Sequence, residues 1–244
     1  MPNQRLSFSL ELWNLLISGQ MSECRLTPVG SNYTFYATLS NSKHQPCSVV
    51  YKPQDGEAPL WDFPDGTLYL REHAAYVLSE ALGWGFIPPT IVRYGPHGIG
   101  SVQIYIESDP MANYFTLYEK HRHDFMRICT FDIVANNADR KASHCLLGTD
   151  GCIWVIDHGI TFHSQHKLRT VVWDFAGEQI PYWILEDLNS LISNFTDEEG
   201  LRNQLGPFLR CDEIAALRHR VEHLLEHPFF PFPGPGRSIP WPWF

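Results

Sequence analysis

The chain lacks most of the signals that would place it quickly in a class. Its six cysteines, Cys24, Cys47, Cys129, Cys145, Cys152 and Cys211, are scattered and form no C-x-x-C pair. Neither zinc-ligand spacing nor a disulfide framework is present, so the thiols read as reduced and mostly buried, as in a cytoplasmic protein. Long uninterrupted apolar runs are missing too. Residues 1–19, MPNQRLSFSLELWNLLISG, carry an apolar stripe that polar side chains break throughout, which reads as neither a signal peptide nor a membrane span. Positive charge is scarce, with 18 Lys and Arg against 27 Asp and Glu for a formal net charge of −9. That balance argues against constitutive binding to nucleic acid or anionic lipid, and no basic amphipathic helix points to a membrane surface. No internal repeat of solenoid length is visible.

What is present is an aromatic, well-patterned chain. Its 244 residues are 44% hydrophobic and 14% aromatic, with eight Trp, enough for one large or two small domains around a well-filled core. Leu6, Leu10, Trp13, Leu15, Leu16 and Ile17 predict an amphipathic helix over 6–17 that closes at Gly19. Alternation at Tyr33, Phe35, Ala37 and Leu39, and again at Val49 and Tyr51, predicts a strand pair around a turn at 41–46, with Lys52 ending the second strand. Residues 53–66 form a turn-rich insertion, readable as a lid or as a structural Ω-loop. Thr67 is the expected N-cap of a helix over 68–82 that stops at Gly83. A hairpin is expected from strands at 90–94 and 101–107, and an irregular or helical crossover over 109–122.

The second half holds the stretch around which the rest is organised. DFMRICTFDIVANN, with apolar residues at Phe125, Ile128, Cys129, Ile133 and Val134, predicts a largely buried helix stopping at Asn136 and Asn137. Asp139 follows in a loop. Two short strands then turn at Thr149-Asp150-Gly151 and end at Asp157. A loop carboxylate and a strand-end carboxylate, brought together by a hairpin, are what ATP-dependent phosphoryl transfer needs: one orients a hydroxyl, the other holds magnesium. Three further helices are expected, over 182–193, over 197–205 behind a Thr196/Glu199 capping box, and over 213–226. The tail, rich in proline and aromatics, suits an extended strap laid along the body.

The order D-R-x-x-x-H at 139–144, an apolar strand, then D-x-G at 157–159 resembles the catalytic and metal-binding loops of the protein-kinase-like superfamily. NADRKASH with IDHGITF is similar to the phosphatidylinositol 3- and 4-kinase branch, and closest to a bacterial group of small proteins related to that branch. The resemblance runs from about Gly30 to the tail. It implies an α+β, bilobal fold with an antiparallel-sheet small lobe over 1–108 and a mostly helical large lobe over 109–244. It also implies roles. The turn Gly30-Ser31-Asn32, though not a G-x-G-x-x-G loop, would offer N–H groups to phosphate, and Lys52 would meet the α and β phosphates. Glu72, in preference to Glu80, would hold Lys52, and Gln103, Ile104, Tyr105 and Ile106 would lie beside adenine through their backbone.

Asp139 would orient the acceptor hydroxyl, and Asp157 would bind Mg²⁺. Arg140 or Lys141 would offset charge on the transferring group, with a loop tie as the other reading of Arg140. Residues 161–178 stand where a substrate segment would be, with Lys167 and Arg169 as its basic residues. One position departs from the pattern: His144 occupies the place of a metal-binding asparagine. A neutral imidazole suits magnesium poorly, so the site uses one Mg²⁺, favours Mn²⁺, or gives His144 another task. The implied activity is phosphoryl transfer from ATP to a hydroxyl-bearing acceptor, a protein or soluble small molecule ahead of a lipid. A nucleotide-binding pseudokinase and an AMP transferase are the alternatives.

Overall fold

A computed structural model describes residues 8–28, 30–195 and 200–244. Five antiparallel strands, β1 (Gln20–Leu26), β2 (Phe35–Ser40), β3 (Cys47–Pro53), β4 (Thr90–Gly95) and β5 (Gly98–Ile104), form one sheet in the order β1-β2-β3-β5-β4. The alternation read in the sequence sorts its two faces. Ala37, Leu39, Val49, Tyr51, Val102 and Ile104 point to one side, where Leu16 of helix α1 (Leu10–Ser18) joins them in a small core. Burial of each Leu, Val or Ile among them contributes about 1.5–3 kcal/mol. Helix α1 starts at Leu10, where Ser9 accepts the Leu12 amide at 3.3 Å as its cap, and the expected start at Leu6 lies outside the described residues. Residues 1–7 lie outside the described part.

Helix α2 (Leu68–Ala81) packs on β4 and β5. Its cap differs from expectation. The Thr67 hydroxyl donates to the Pro64 carbonyl at 2.7 Å, while Glu57, from the 53–66 insertion, accepts the Leu68 and Tyr69 amides at 3.1 and 2.7 Å. A carboxylate at a helix N-terminus satisfies free N–H groups and opposes the helix dipole favourably. The insertion therefore anchors α2, and its one exposed apolar side chain of note is Trp61, 92% accessible.

The helical part follows from residue 109. Helix α3 (Tyr114–Leu117) leads to α4 (Arg122–Ala135), a buried helix that ends at Asn136 in the left-handed region, φ 51°. A two-stranded hairpin, β6 (Cys145–Leu147) and β7 (Ile153–Val155), precedes α5 (Tyr182–Asn194), α6 (Leu201–Leu205) and α7 (Cys211–Glu226). One large core joins α2, α4, the hairpin and the last three helices. The expected Thr196/Glu199 capping box lies outside the described residues. Arg71 of α2 is buried and donates to Glu213 of α7 and to the Thr161 carbonyl, 2.6 Å each.

The tail runs along the body as a strap. Phe230 is buried against Phe175, the Ser238 carbonyl accepts from Thr170 N and Trp173 Nε1 at 3.0 and 3.1 Å, and the Trp243 carbonyl accepts from Ala142 N at 3.0 Å. All six cysteines are free thiols; Cys129, Cys145 and Cys152 are buried and Cys211 is exposed. No helix among the described residues is long and apolar enough to cross a membrane.

Candidate active site

A cavity of about 620 Å³ opens between the sheet, α2 and the hairpin. Lys52 reaches it because β3 alternates: Tyr51 faces the small core and Lys52 the other side. Its ammonium bonds Glu72 of α2 and, at 2.9 Å, Oδ1 of Asp157. Glu80 lies farther along α2 and interacts with Tyr76. Glu72 is itself buried, and its second oxygen accepts the His158 amide at 2.9 Å. The lysine, the helix glutamate and the strand-end aspartate thus form one connected unit. Burial pulls the Lys52 pKa down, but Asp157 and Glu72 outweigh it and the ammonium is held above its ordinary range.

Asp157 follows β7 with φ 65°, a conformation that costs a non-glycine residue about 1 kcal/mol and is retained where the surroundings over-determine it. Here Lys52 pins one carboxylate oxygen, and His144 Nε2 lies 3.3 Å from the other. Burial works to raise the carboxyl pKa; Lys52, His144 and Lys141 more than offset that, so it stays ionised well below the usual carboxylate range.

Lining the same cavity, Asp139 sits in the loop after α4. Asn137 accepts its amide at 3.0 Å, and Lys141 Nζ lies 3.1 Å from its carboxylate. Burial raises the Asp139 pKa, with Asp157 adding to the rise and Lys141 and Arg140 opposing it. Asn136 holds the same loop from the other side, donating to the His163 and Gln165 carbonyls at 2.8 and 2.6 Å and accepting the Lys167 amide at 2.8 Å.

Gly30, Ser31, Asn32, Lys52, Glu72, Gln103, Ile104, Tyr105, Ile106, Asp139, Lys141 and Asp157 all line this one cavity. Gly30 has φ +118°, open to glycine and costly for other residues, and Asn32 ties the turn to the insertion by accepting the Ala58 amide at 2.7 Å. Val50, Leu146 and Ile156 add apolar wall.

Two expected site residues do not line the cavity. Arg140 is fully buried and spends its guanidinium on Asp132 (2.9–3.2 Å), the Ile156 carbonyl (3.0 Å) and His158 Nε2 (2.7 Å). Of its two expected readings these bonds match the loop tie: Arg140 joins α4 to the segment that carries Asp157. His144 is buried behind Asp157. The Lys141 amide approaches its Nδ1 at 3.4 Å and its Nε2 lies 3.3 Å from the Asp157 carboxylate, an arrangement that matches the tautomer with the proton on Nε2. Burial, aided by Arg140, Lys141 and Lys52 and opposed by Asp157, pushes its pKa down to about 4. In this geometry a neutral His144 is placed to donate to Asp157 and does not itself line the cavity. Lys167, expected to meet a substrate, is clasped by the insertion through Asp62 Oδ2 at 2.9 Å and the Trp61 ring at 4.9 Å.

Three buried contributors escaped the sequence reading: Asp132, His158 and the Arg71–Glu213 pair. A lone acid in the apolar run FMRICTFDIVA was the available signal, since a buried carboxylate requires a partner. The donor set suits a hard divalent ion. Asp157 is about half exposed on the cavity wall and Asp139 lines the same space, so these two carboxylates are the ones that would hold such an ion.

The fold is kinase-like. Over about nine-tenths of the chain it matches hydra Fam20 solved with sugar (TM-score 0.56, 16% identity, 91% of this chain and 90% of that one), the Golgi casein kinase (0.52, 16%, 89% and 74%) and the Helicobacter pylori proinflammatory kinase CtkA (0.51, 11%, 87% and 93%). No protein-family model matches the sequence. The chain belongs to the family of Protein Rv2133c of Mycobacterium tuberculosis, with which it is 37% identical over 270 residues, covering 94% of each chain.

Proposed function

We propose that this protein is an ATP- and divalent-metal-dependent phosphotransferase that passes the γ-phosphate to an alcohol hydroxyl. The observation that carries it is the Glu72–Lys52–Asp157 unit facing Asp139 and Lys141 across one cavity of nucleotide size. The triphosphate lies between a small lobe over 1–108 and a large lobe over 109–244, its base beside 103–106 and its phosphates under the 30–32 turn. Lys52, held by Glu72, neutralises the α and β phosphates. Asp157, steered by the His144 N–H, would hold the metal. When bound, Mg²⁺ or Mn²⁺ would screen the charge of the phosphate oxygens and so ease attack of the acceptor hydroxyl at the γ-phosphorus. Asp139 accepts a hydrogen bond from the acceptor hydroxyl and aims it in line, its raised pKa making it a better proton acceptor. Lys141, 3.1 Å from Asp139, offsets charge on the group in flight.

The motifs NADRKASH and IDHGITF favour the phosphatidylinositol-kinase-like subtype in machinery, while the acidic net charge of −9 favours a protein or soluble small-molecule acceptor in the cytoplasm. The test measures ATP consumption, with and without candidate acceptors, by wild type, Asp139→Ala and Asp157→Ala. Both variants are expected to lose at least about a hundredfold. Equal rates for all three overturn the proposal. One observation favours a second reading, a nucleotide-binding protein without transfer: His144 stands where a second metal donor is expected and points its proton at Asp157. ATP-dependent thermal stabilisation with no modified acceptor supports that reading, and mass spectrometry distinguishes added phosphate from added AMP.

A further inference from the structure

Strand β5 lies between β3 and β4, with Gln103 directly opposite Val50 on one side and Thr90 on the other. Residues opposite one another in an antiparallel ladder share a face, so Gln103 is on the face of Val50 and, two residues along β3, of Lys52. All three line the cavity. Gln103 is 8% exposed, and a buried amide needs partners for its polar atoms.

Its orientation is dictated by a short relay. The Thr90 hydroxyl donates its single proton to the Pro88 carbonyl at 2.7 Å, and a carbonyl can only accept. Thr90 Oγ1 is then available only as an acceptor, and Gln103 Nε2 donates to it at 2.8 Å. The amide oxygen is turned the other way. It has no partner among the described residues, yet it is not sealed from the cavity. The next backbone donors are already taken, since the Ile104 and Tyr105 amides donate to Pro89 and Ser48 at 3.0 Å each.

We infer that Gln103 reads the nucleobase: its polarised amide carbonyl accepts a hydrogen bond from the exocyclic amine at purine C6, so the site selects 6-amino over 6-oxo purine nucleotides. This rests on the nucleotide reading above. A 6-oxo purine brings a second lone pair against Oε1 and leaves a buried acceptor unpaired, and sites built to bond a polar group reject analogues that lack it. Side-chain identity at 103 thus matters to the base, beyond any backbone contact.

The test is a binding cycle by calorimetry, with Mg²⁺ and no acceptor present. Wild type, Gln103→Met and Thr90→Val are each titrated with ATP, purine riboside triphosphate (hydrogen at C6) and inosine triphosphate. Wild type is expected to bind ATP about tenfold tighter than purine riboside triphosphate, with inosine triphosphate weaker still. Gln103→Met should bring the first ratio close to one. Thr90→Val frees the amide to turn over and should narrow the ATP to inosine triphosphate ratio. Should wild type bind ATP and purine riboside triphosphate alike, or should Gln103→Met leave their ratio unchanged, Gln103 has no such role and the phosphotransferase reading still stands. If wild type binds none of the three, both readings fall.

Discussion

Replacing Arg140 by Met asks how the loop that carries Asp139 is held. The substitution keeps an unbranched apolar stem and deletes the bonds to both oxygens of Asp132, to the Ile156 carbonyl and to His158. Asp132 remains fully buried, with the Thr170 hydroxyl and the Asn137 amide as its donors, at 3.0 and 2.9 Å. Stranding a buried charge costs about 3–5 kcal/mol, and two surviving neutral hydrogen bonds place this case at the lower end, about 3. Against a typical total of about 5–15 kcal/mol that is a large fraction. With a urea slope of about 3 kcal/mol per molar for a chain of this size, the midpoint should fall by about 1 M. Asp132→Asn strands the guanidinium instead and should cost about as much. The double variant removes both charges, so its loss should be at least about 1 kcal/mol smaller than the sum of the singles. Urea unfolding followed by circular dichroism and tryptophan fluorescence measures all three. A loss below about 1 kcal/mol for Arg140→Met, or strict additivity, would show that this pair does not hold the loop.

Two further outcomes follow from local geometry. In Gly100→Ala, the new Cβ would stand 2.3 Å from the Lys52 carbonyl oxygen and 2.7 Å from Pro53 Cα, both backbone atoms. β3 and β5 must part, so stability should drop by about 1–3 kcal/mol and the melting temperature by several degrees, with Lys52 displaced and nucleotide affinity reduced; an unchanged melting temperature would contradict the close approach. His144 has a folded pKa of about 4 against an ordinary 6.5, so between these values the unfolded chain binds the extra proton and the folded one does not. Stability therefore falls as pH drops from 6.5 toward 4, and wild type should lose about 2 kcal/mol more than His144→Gln between pH 7 and 4.5. Parallel pH curves for the two proteins would refute a buried neutral imidazole.

Much of the fold was readable because most elements carry their periodicity openly. β2 and β3 alternate, α2 stops at its glycine, and α4 stops at Asn136, where a left-handed residue ends the helix. β1 was not readable. QMSECRL is a polar edge strand, paired on one side only and broken in register between Ser22 and Arg25, where Glu23 takes φ 54°. The 101–107 strand was placed late because its turn is tighter than the Gly-Pro-rich stretch suggests, and β5 already begins at Gly98. At the site, motif order brought Lys52, Glu72, Asp139 and Asp157 to one cavity. Burial was the unreadable part. Arg140 and Lys141 are neighbours with the same charge, and only packing turns one inward to Asp132 and leaves the other beside Asp139. The Gln103 amide was likewise out of reach, since its polarity depends on Thr90 and Pro88 across a strand pairing.

The strap has a consequence for how the molecule is made. The amides of Ala142 and Thr170 find their acceptors on Trp243 and Ser238. Chains emerge from the ribosome at about 5–20 residues per second, so the Ala142 amide meets its carbonyl partner only after roughly a hundred further residues have been added. During that interval of several seconds the Asn136 and Arg140 bonds, whose partners are already made, are left to hold the segment bearing Asp139, and the strap adds the last two acceptors only when synthesis ends.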